Sequence, residues 1–302
     1  MSSSTVLDPL VIGLLLLAAI MHASWNAILK SDRTDRLATF AVIMLAGGVL
    51  ALPLVPFLPV VERAAWPWLA ASGAIHLAYY YFLLQAYAHG DLSHTYPIAR
   101  GMGPLLVALV SGQLIGEQLR LQDVAGVLLL SGGLLTLARG AAARDEAVGS
   151  EARGRHRRAT IFAMLTGFTI AGYIISDGLG VRAAGPTPQH RIAYIAWLNL
   201  IEAPFMIVVA LFLRRAALFD YLRRAWWKGA IGGTIATIGY AIAIYSLSLG
   251  PMAHVAALRE TSVLFGALMG TLLLGEPFGR VRVLAAAIIA LGLVLMNGPR
   301  LF

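Results

Sequence analysis

Ten stretches of mainly apolar residues, each long enough to cross a lipid bilayer, decide what this chain can fold into. A helix of about 20 residues spans the hydrocarbon core of roughly 30 Å while bonding its own backbone polar groups. Apolar residues make up 59% of the chain and charged residues only 13%, unlike the mix in soluble domains. We therefore predict an all-α membrane protein with ten transmembrane helices, at about 9–30, 36–56, 66–88, 92–116, 122–139, 159–182, 189–213, 226–249, 252–275 and 281–298.

The second half of the sequence repeats the first at an offset of about 160 residues. We predict a first repeat at 1–139, a charged linker at 140–158 and a second repeat at 159–302. Because each repeat holds five helices and five is odd, the second repeat is inverted in the membrane, and the two enclose a central cavity. A duplication that only enlarges a structural bundle is the alternative. The matched pairs are Gly73 with Gly233, Tyr80 with Tyr240, Gly90 with Gly250, His94 with His254, Arg100 with Arg259, Gly116-Glu117 with Gly275-Glu276, and Gly133 with Gly292.

Two segments resemble the repeat of a known transporter family. The run LLVALVSGQLIGEQLRLQDVAGVLLLSGGLLTL and its counterpart LFGALMGTLLLGEPFGRVRVLAAAIIALGLVLM are similar to the EamA-type repeat of the drug/metabolite transporter superfamily, with Gly-Glu before the last helix as the most specific element. The resemblance covers nearly the whole chain. It implies ten helices, a central cavity, and a carrier or exporter of small metabolites. Within the family, the chain looks most like the YddG-type exporters of aromatic amino acids.

The resemblance favours a secondary transporter of a bacterial inner membrane that works by alternating access. It would export amino acids, aromatic or other bulky ones among them, or similar amphipathic metabolites. A drug, nucleoside or sugar-phosphate carrier of the same superfamily is one alternative, and a membrane-embedded enzyme or a channel is another. The sequence has no H-E-x-x-H motif and no P-loop, so we expect no enzyme activity, metal or cofactor.

The net charge of +8 comes mainly from arginines in the connections between spans. Lipid headgroups are the simpler partner for charges at that position, and nucleic acid is not expected. The expected partners are therefore the bilayer and a small-molecule substrate, with the chain acting as a monomer or an oligomer.

The charged connections also predict the orientation of the termini. The side shared by both termini carries five Lys and Arg residues and the other side sixteen. The positive-inside rule therefore places both termini outside the cytoplasm, although the resemblance argues the reverse, because members of the superfamily are often drawn with cytoplasmic termini. In this cysteine-free chain, Ser3→Cys should react with an impermeant maleimide in intact cells. Labelling only after permeabilisation would show instead that the termini lie in the cytoplasm.

Two arginines lie deep inside predicted spans. Arg100 is about eight residues into the fourth span, roughly 12 Å at 1.5 Å per residue, and Arg259 lies at the matching depth of the ninth. An arginine near mid-bilayer costs about 2.5–3.5 kcal/mol on insertion scales, so each should face the bundle interior and find a partner, for which Glu260 is the candidate. We predict that both arginines bind a substrate carboxylate. Snorkelling to headgroups, or a structural ion pair, is the alternative.

Aromatic and amide side chains surround the arginines in the neighbouring spans. A cavity with aromatic faces and a few hydroxyls suits an amphipathic amino acid, whereas packing or interfacial positions are the alternative for any single residue. With Arg100, Arg259 and Glu260, the predicted substrate-binding residues are His22, Trp25, Asn26, Tyr79, Tyr80, Tyr96, Tyr173, Trp197 and Tyr240.

Two acidic residues and two histidines complete the candidates. Glu202 and Asp177 are candidates for proton coupling, because carboxyls inside a membrane often belong to proton relays, and a hydrogen-bonded structural carboxyl is the alternative. His94 and His254 lie near the starts of equivalent spans on opposite faces. They are candidate gate residues, or else interfacial histidines.

Overall fold

The computed structural model describes residues 7–31, 34–90, 92–145, 150–274 and 280–298. These residues form helices and connections without any β-strand, so the predicted all-helical fold is confirmed. Ser3, Gly275 and Glu276 lie outside the described residues. The helices are α1 (Pro9–Ser31), α2 (Arg36–Ala51), α3 (Trp66–His89), α4 (Leu92–Ile115), α5 (Leu121–Asp145), α6 (Ser150–Arg182), α7 (Pro188–Leu213), α8 (Arg215–Arg224), α9 (Trp226–Leu247), α10 (Met252–Arg259), α11 (Thr261–Leu274) and α12 (Arg280–Asn297), with 3₁₀ turns at Val55–Phe57 and Arg63–Ala65.

The helices differ in how apolar they are. Within the described part of the chain, α1, α2, α6, α7 and α9 are each long and apolar enough to cross a membrane by themselves. Shorter apolar segments occur at Leu121–Leu137 in α5 and at Val283–Asn297 in α12. Two of the remaining helices contain charge: α4 includes Arg100, and α10 ends at Arg259 beside Glu260. These charged spans depend on their neighbours for burial.

The ninth span, predicted as one helix, is interrupted at Glu260. The backbone N–H of Glu260 donates to the carbonyl of Ala257 at 3.1 Å, and that of Val263 donates to the carbonyl of Glu260 at 3.0 Å, as in a tight 3₁₀ turn. The hydroxyl of Thr261 donates to the carbonyl of Leu258 at 2.6 Å. This side-chain hydrogen bond satisfies a carbonyl at the break and stabilises it inside the membrane.

Two connections are more helical than expected. The predicted linker 140–158 is helical at both described ends, as the last part of α5 and the first part of α6, because it is rich in alanine, arginine and glutamate, which favour helices. The connection after α7 forms the short amphipathic helix α8. Its Leu218 and Tyr221 are buried with residues of α2, while Arg223 and Arg224 are exposed.

The packing of the helices is symmetric with respect to the two repeats. Helix α3 packs on α6 as α1 packs on α9, and α4 packs on α6 as α11 packs on α1. The pairs α2 with α7 and α5 with α12 each join equivalent helices. Exchanging the repeats therefore reproduces these pairings. The two repeats are related by a pseudo-twofold axis, and the largest buried cluster is shared between them.

Candidate substrate-binding site

A small cavity lies between the two repeats, where α1 and α4 of the first meet α9 and α10 of the second. Four polar side chains face it, together with small residues that keep its other walls apolar. It has room for about one water molecule. The lining residues are Ala18, Ala19, His22, Arg100, Ala236, Gly239, Tyr240, Ala243 and Arg259.

Arg100 forms a buried ion pair at the edge of this cavity. Its guanidinium donates to Oε1 of Glu260 at 3.1 Å, contacts Nε2 of His22, and lies over the ring of Tyr96 at 5.4 Å from the ring centre. Arg100 is only 5% exposed and Glu260 is fully buried. The positive charge of Arg100 is therefore compensated within the protein.

Arg259, the repeat equivalent of Arg100, has a different environment. Its guanidinium lies 5.2 Å from the ring centre of Tyr240. Among the residues that the structure describes, no carboxylate forms an ion pair with it. Arg259 is 8% exposed, and that exposed part faces the cavity. The cavity therefore presents one buried cation that forms no ion pair with a described carboxylate.

The two repeats supply one glutamate for two arginines because they differ at a single position. Glu260 comes after Arg259, whereas its counterpart after Arg100 is Gly101. A Cβ at Gly101 would lie 3.1 Å from Cβ of Leu134 and 3.5 Å from the carbonyl of Ser131, so a larger side chain does not fit there. Two arginines share one glutamate, and Oε2 of that glutamate is buried without a hydrogen-bond partner among the described residues.

A second polar cluster lies beside the cavity and centres on His76. Nδ1 of His76 lies 3.0 Å from Oε1 of Glu202 and 2.9 Å from the carbonyl of Ser72. On the other side of the ring, Nε2 lies 3.2 Å from the hydroxyl of Tyr240, which donates to Oδ2 of Asp177 at 2.6 Å. The cluster connects α3, α6, α7 and α9, and Tyr240 joins it to the cavity.

Tyrosines hold this cluster in place. Tyr80 donates to Oε2 of Glu202 at 3.1 Å, and Tyr194 donates to Oδ1 of Asp177 at 3.2 Å. The ring of Tyr173 stacks on His76 with 4.3 Å between the ring centres. Gly180, one turn beyond Asp177, has no side chain where the ring of Tyr194 approaches α6. Both carboxylates are thus positioned by hydrogen bonds from neighbouring helices.

His76 is not among the predicted site residues, although it forms more contacts in the site than most of them. Ser72 and His76 lie one turn apart, and Tyr79 and Tyr80 follow. This spacing places an ionisable residue on a polar face of a membrane helix, and that pattern could have indicated His76 as a site residue. Tyr79 lies near the cluster, with its ring centre 5.6 Å from that of Tyr173.

Three other predicted binding residues lie farther from the cavity. The indole of Trp25 donates to Nδ1 of His22 at 3.3 Å, and so Trp25 supports a lining residue from behind. The amide of Asn26 donates to the carbonyl of His22 in its own helix at 2.8 Å. Trp197 packs against Trp66 at 5.5 Å between ring centres. The structure does not bring these three side chains to the cavity wall.

The two candidate gate histidines lie away from the cavity, each at a contact between the repeats. Nε2 of His94 lies 3.0 Å from the hydroxyl of Thr160. Nε2 of His254 lies 3.1 Å from the carbonyl of Met296 and 3.3 Å from Oδ1 of Asp123. Both histidines are buried. Their role as gate residues stays a prediction.

Glu117, from the Gly-Glu motif of the first repeat, also reaches across to the second. Its Oε1 accepts a hydrogen bond from the backbone N–H of Met252, in the first turn of α10, at 2.9 Å. It also accepts one from Arg182 at 3.3 Å, and Arg182 donates to the carbonyl of Gly250 at 2.7 Å. These contacts close the two repeats on each other on the side of the membrane where α6 ends.

Two repeats packed around a buried, charged cavity are typical of a multi-pass membrane transporter. The chain belongs to the EamA-like transporter family, whose model matches residues 9–139 and 157–298. The resemblance to the EamA-type repeat is thereby confirmed, and the narrower likeness to the YddG-type exporters stays a prediction.

One similar solved structure supports the fold. It is described only as "Crystal structure of protein", and it matches with a TM-score of 0.74 and 16% sequence identity over 96% of this chain and 98% of its own. At this identity the similarity concerns the fold alone. A search of curated proteins finds no match to the chain.

Proposed function

We propose that this transporter exports amino acids or similar amphipathic metabolites across a bacterial inner membrane. The observation that carries the proposal is Arg259, a buried guanidinium that faces the cavity without an anionic partner among the described residues. A substrate carboxylate supplies the missing charge through hydrogen bonds in the plane of the guanidinium, while the ring of Tyr240 covers its face.

Glu260 supplies the complementary group for an amino acid. Its Oε1 pairs with Arg100, and its Oε2 is buried without a partner among the described residues. Glu260 does not line the cavity in this conformation, so a substrate ammonium donates to this oxygen only when the cavity widens toward it. An unpaired buried acceptor costs about 1–3 kcal/mol, which a zwitterionic substrate recovers and a simple carboxylate does not.

The surroundings favour a substrate with an apolar part. Tyr240 lines the cavity, and Tyr79 and Tyr173 lie in the adjoining layer, next to His76. The small side chains of α1 and α9 leave apolar walls where an opened cavity can widen. Aromatic faces beside a charged pair suit a bulky amino acid, aromatic ones included.

A carrier of sugar phosphates is the second candidate, because both Arg100 and Arg259 line the cavity. A phosphate dianion at this position needs two free guanidinium groups. Arg100 is already bound to Glu260 at 3.1 Å, so this candidate is the weaker of the two. A drug or nucleoside without negative charge gives the unpaired cation no role in binding.

Counterflow in proteoliposomes tests the proposal with a panel of radiolabelled amino acids, nucleosides and sugar phosphates. We expect saturable exchange of amino acids, with L-phenylalanine competing more strongly than phenylpyruvate, which lacks the ammonium, and than phenylalanine methyl ester, which lacks the carboxylate. Exchange of sugar phosphates alone would support the second candidate. Equal competition by all three phenyl compounds would contradict recognition by Arg259 and Glu260.

A further inference from the structure

The His76 cluster comprises Glu202, His76, Tyr240 and Asp177. The distances between its donor and acceptor atoms indicate where its hydrogens lie. Nδ1 of His76 lies 2.9 Å from the carbonyl and 3.2 Å from the hydroxyl of Ser72, and Oε1 of Glu202 lies 3.0 Å away as a charge neighbour. Because the carbonyl is the nearest of these atoms and only accepts hydrogen bonds, we assign a hydrogen to Nδ1. A neutral imidazole has one N–H, which leaves Nε2 without a hydrogen.

Tyr240 shows that the cluster holds one hydrogen more than this. Its hydroxyl oxygen lies 3.2 Å from Nε2 of His76 and 2.6 Å from Oδ2 of Asp177. One hydroxyl hydrogen serves only one of these two contacts. With both contacts as hydrogen bonds, the second one takes a hydrogen on Nε2 or on the carboxyl of Asp177. In that arrangement the cluster binds one proton beyond a neutral histidine, a neutral tyrosine and two ionised carboxylates.

The surrounding charges agree with this count. Arg100 and Arg259 are the buried cations of the region, and Glu260, Glu202 and Asp177 are its buried anions. One bound proton brings the sum of these charges to zero, which avoids the cost of a net charge in the membrane interior. The other titratable groups facing the cluster are Tyr79 and Tyr80 on α3, Tyr173 on α6, Tyr194 on α7 and, across the cavity, His22 on α1.

We propose that the His76 cluster is the site of a proton that the transporter exchanges for its substrate, an inference that rests on the proposed function. Tyr240 couples the two ligands, because its hydroxyl closes the cluster and its ring lines the cavity beside Arg259. The cavity is too small for a substrate, so binding at Arg259 moves its wall, and a shift of Tyr240 that keeps its ring over the guanidinium separates its hydroxyl from the cluster. The proton then passes from Nε2 or Asp177 to water, and the cluster regains a proton when the substrate leaves.

Spectroscopy on the purified protein tests the proton site without any substrate. Histidine ¹⁵N NMR, with a His76→Gln spectrum for assignment, reports whether the His76 ring is an imidazolium. Infrared spectra, with Glu202→Gln and Asp177→Asn for assignment, report the state of the two carboxyls. At neutral pH we expect an imidazolium at His76 or a protonated carboxyl at Asp177. A neutral His76 beside two ionised carboxylates overturns the proposal.

Proton movement in proteoliposomes tests the exchange. With a pH dye inside the vesicles and L-phenylalanine as the probe, we expect protons to move opposite to phenylalanine. Glu202→Gln should lower the ratio of protons to phenylalanine, because the charge beside the ring is lost. Asp220→Asn makes the same chemical change at an exposed pair with Arg224 on α8, and we expect the ratio to stay unchanged.

The outcomes separate the two proposals. An unchanged ratio in Glu202→Gln, or phenylalanine flux without proton flux in the wild type, overturns the exchange and leaves the proposed function intact. Absence of counterflow for every amino acid refutes the proposed function, and the spectra then decide whether the proton site exists.

Discussion

Arg259→Gln lowers the counterflow of L-phenylalanine by about 100-fold. Leaving a substrate carboxylate buried without its cation costs about 2–5 kcal/mol, and each 1.4 kcal/mol corresponds to a factor of ten. Because Arg259 forms no ion pair within the described chain, its loss leaves no carboxylate of the protein without a partner. The variant should therefore elute in gel filtration like the wild type. The measurement is the initial rate of labelled exchange at equal protein density.

Arg191 provides a matched control. Its guanidinium also lies over a tyrosine ring, 5.8 Å from the centre of Tyr245, but it does not line the cavity. Arg191→Gln should exchange phenylalanine at the wild-type rate, and Arg259→Lys should retain part of it because the charge remains. Wild-type exchange by Arg259→Gln would show that the carboxylate binds elsewhere.

Arg100→Met is expected to destabilise the fold more than it changes substrate binding. Glu260 is fully buried, and without Arg100 it loses the guanidinium that pairs with it at 3.1 Å. Removing one partner of a buried ion pair costs about 3–5 kcal/mol, because the remaining charge is uncompensated. We expect a much lower melting temperature of the detergent-solubilised protein than for the wild type.

The double variant Arg100→Met with Glu260→Met separates folding from transport. Replacing both charges with apolar side chains of similar length should recover most of the melting temperature, since buried pairs often contribute little net stability. Transport should stay low, because the substrate ammonium then lacks its acceptor. A double variant as unstable as Arg100→Met alone would show that the ion pair itself stabilises the fold.

The sequence was sufficient to predict the helices, because a span needs only length and apolarity, and the bilayer imposes both. The charged residues of the site were also predictable, since Arg100, Arg259 and Glu202 are conspicuous in apolar stretches that tolerate few charges. The break at Glu260 was not, because it depends on hydrogen bonds of a single turn that contains neither proline nor glycine.

The sequence could not predict which of the two arginines forms the ion pair with Glu260. Arg100 and Arg259 look equivalent in the repeat, yet only Arg100 forms an ion pair with Glu260. The choice depends on how α4 and α10 approach each other across the cavity. His76 was not selected as a site residue for the same reason. Its contacts in the site are with partners on α6, α7 and α9, and the spacing of residues along α3 shows none of these partners.

The contact of Glu117 with Met252 and Arg182 has a kinetic consequence. The carboxylate of Glu117 in one repeat binds the first turn of α10 in the other. We expect the strength of this contact to affect how often that face of the protein opens. The opposite face depends on different residues. The rate at which substrate enters and leaves through that face can therefore be changed by a single loop side chain. The gradients across the membrane still set the net direction of transport, and the relative lifetimes of the two openings set only its speed.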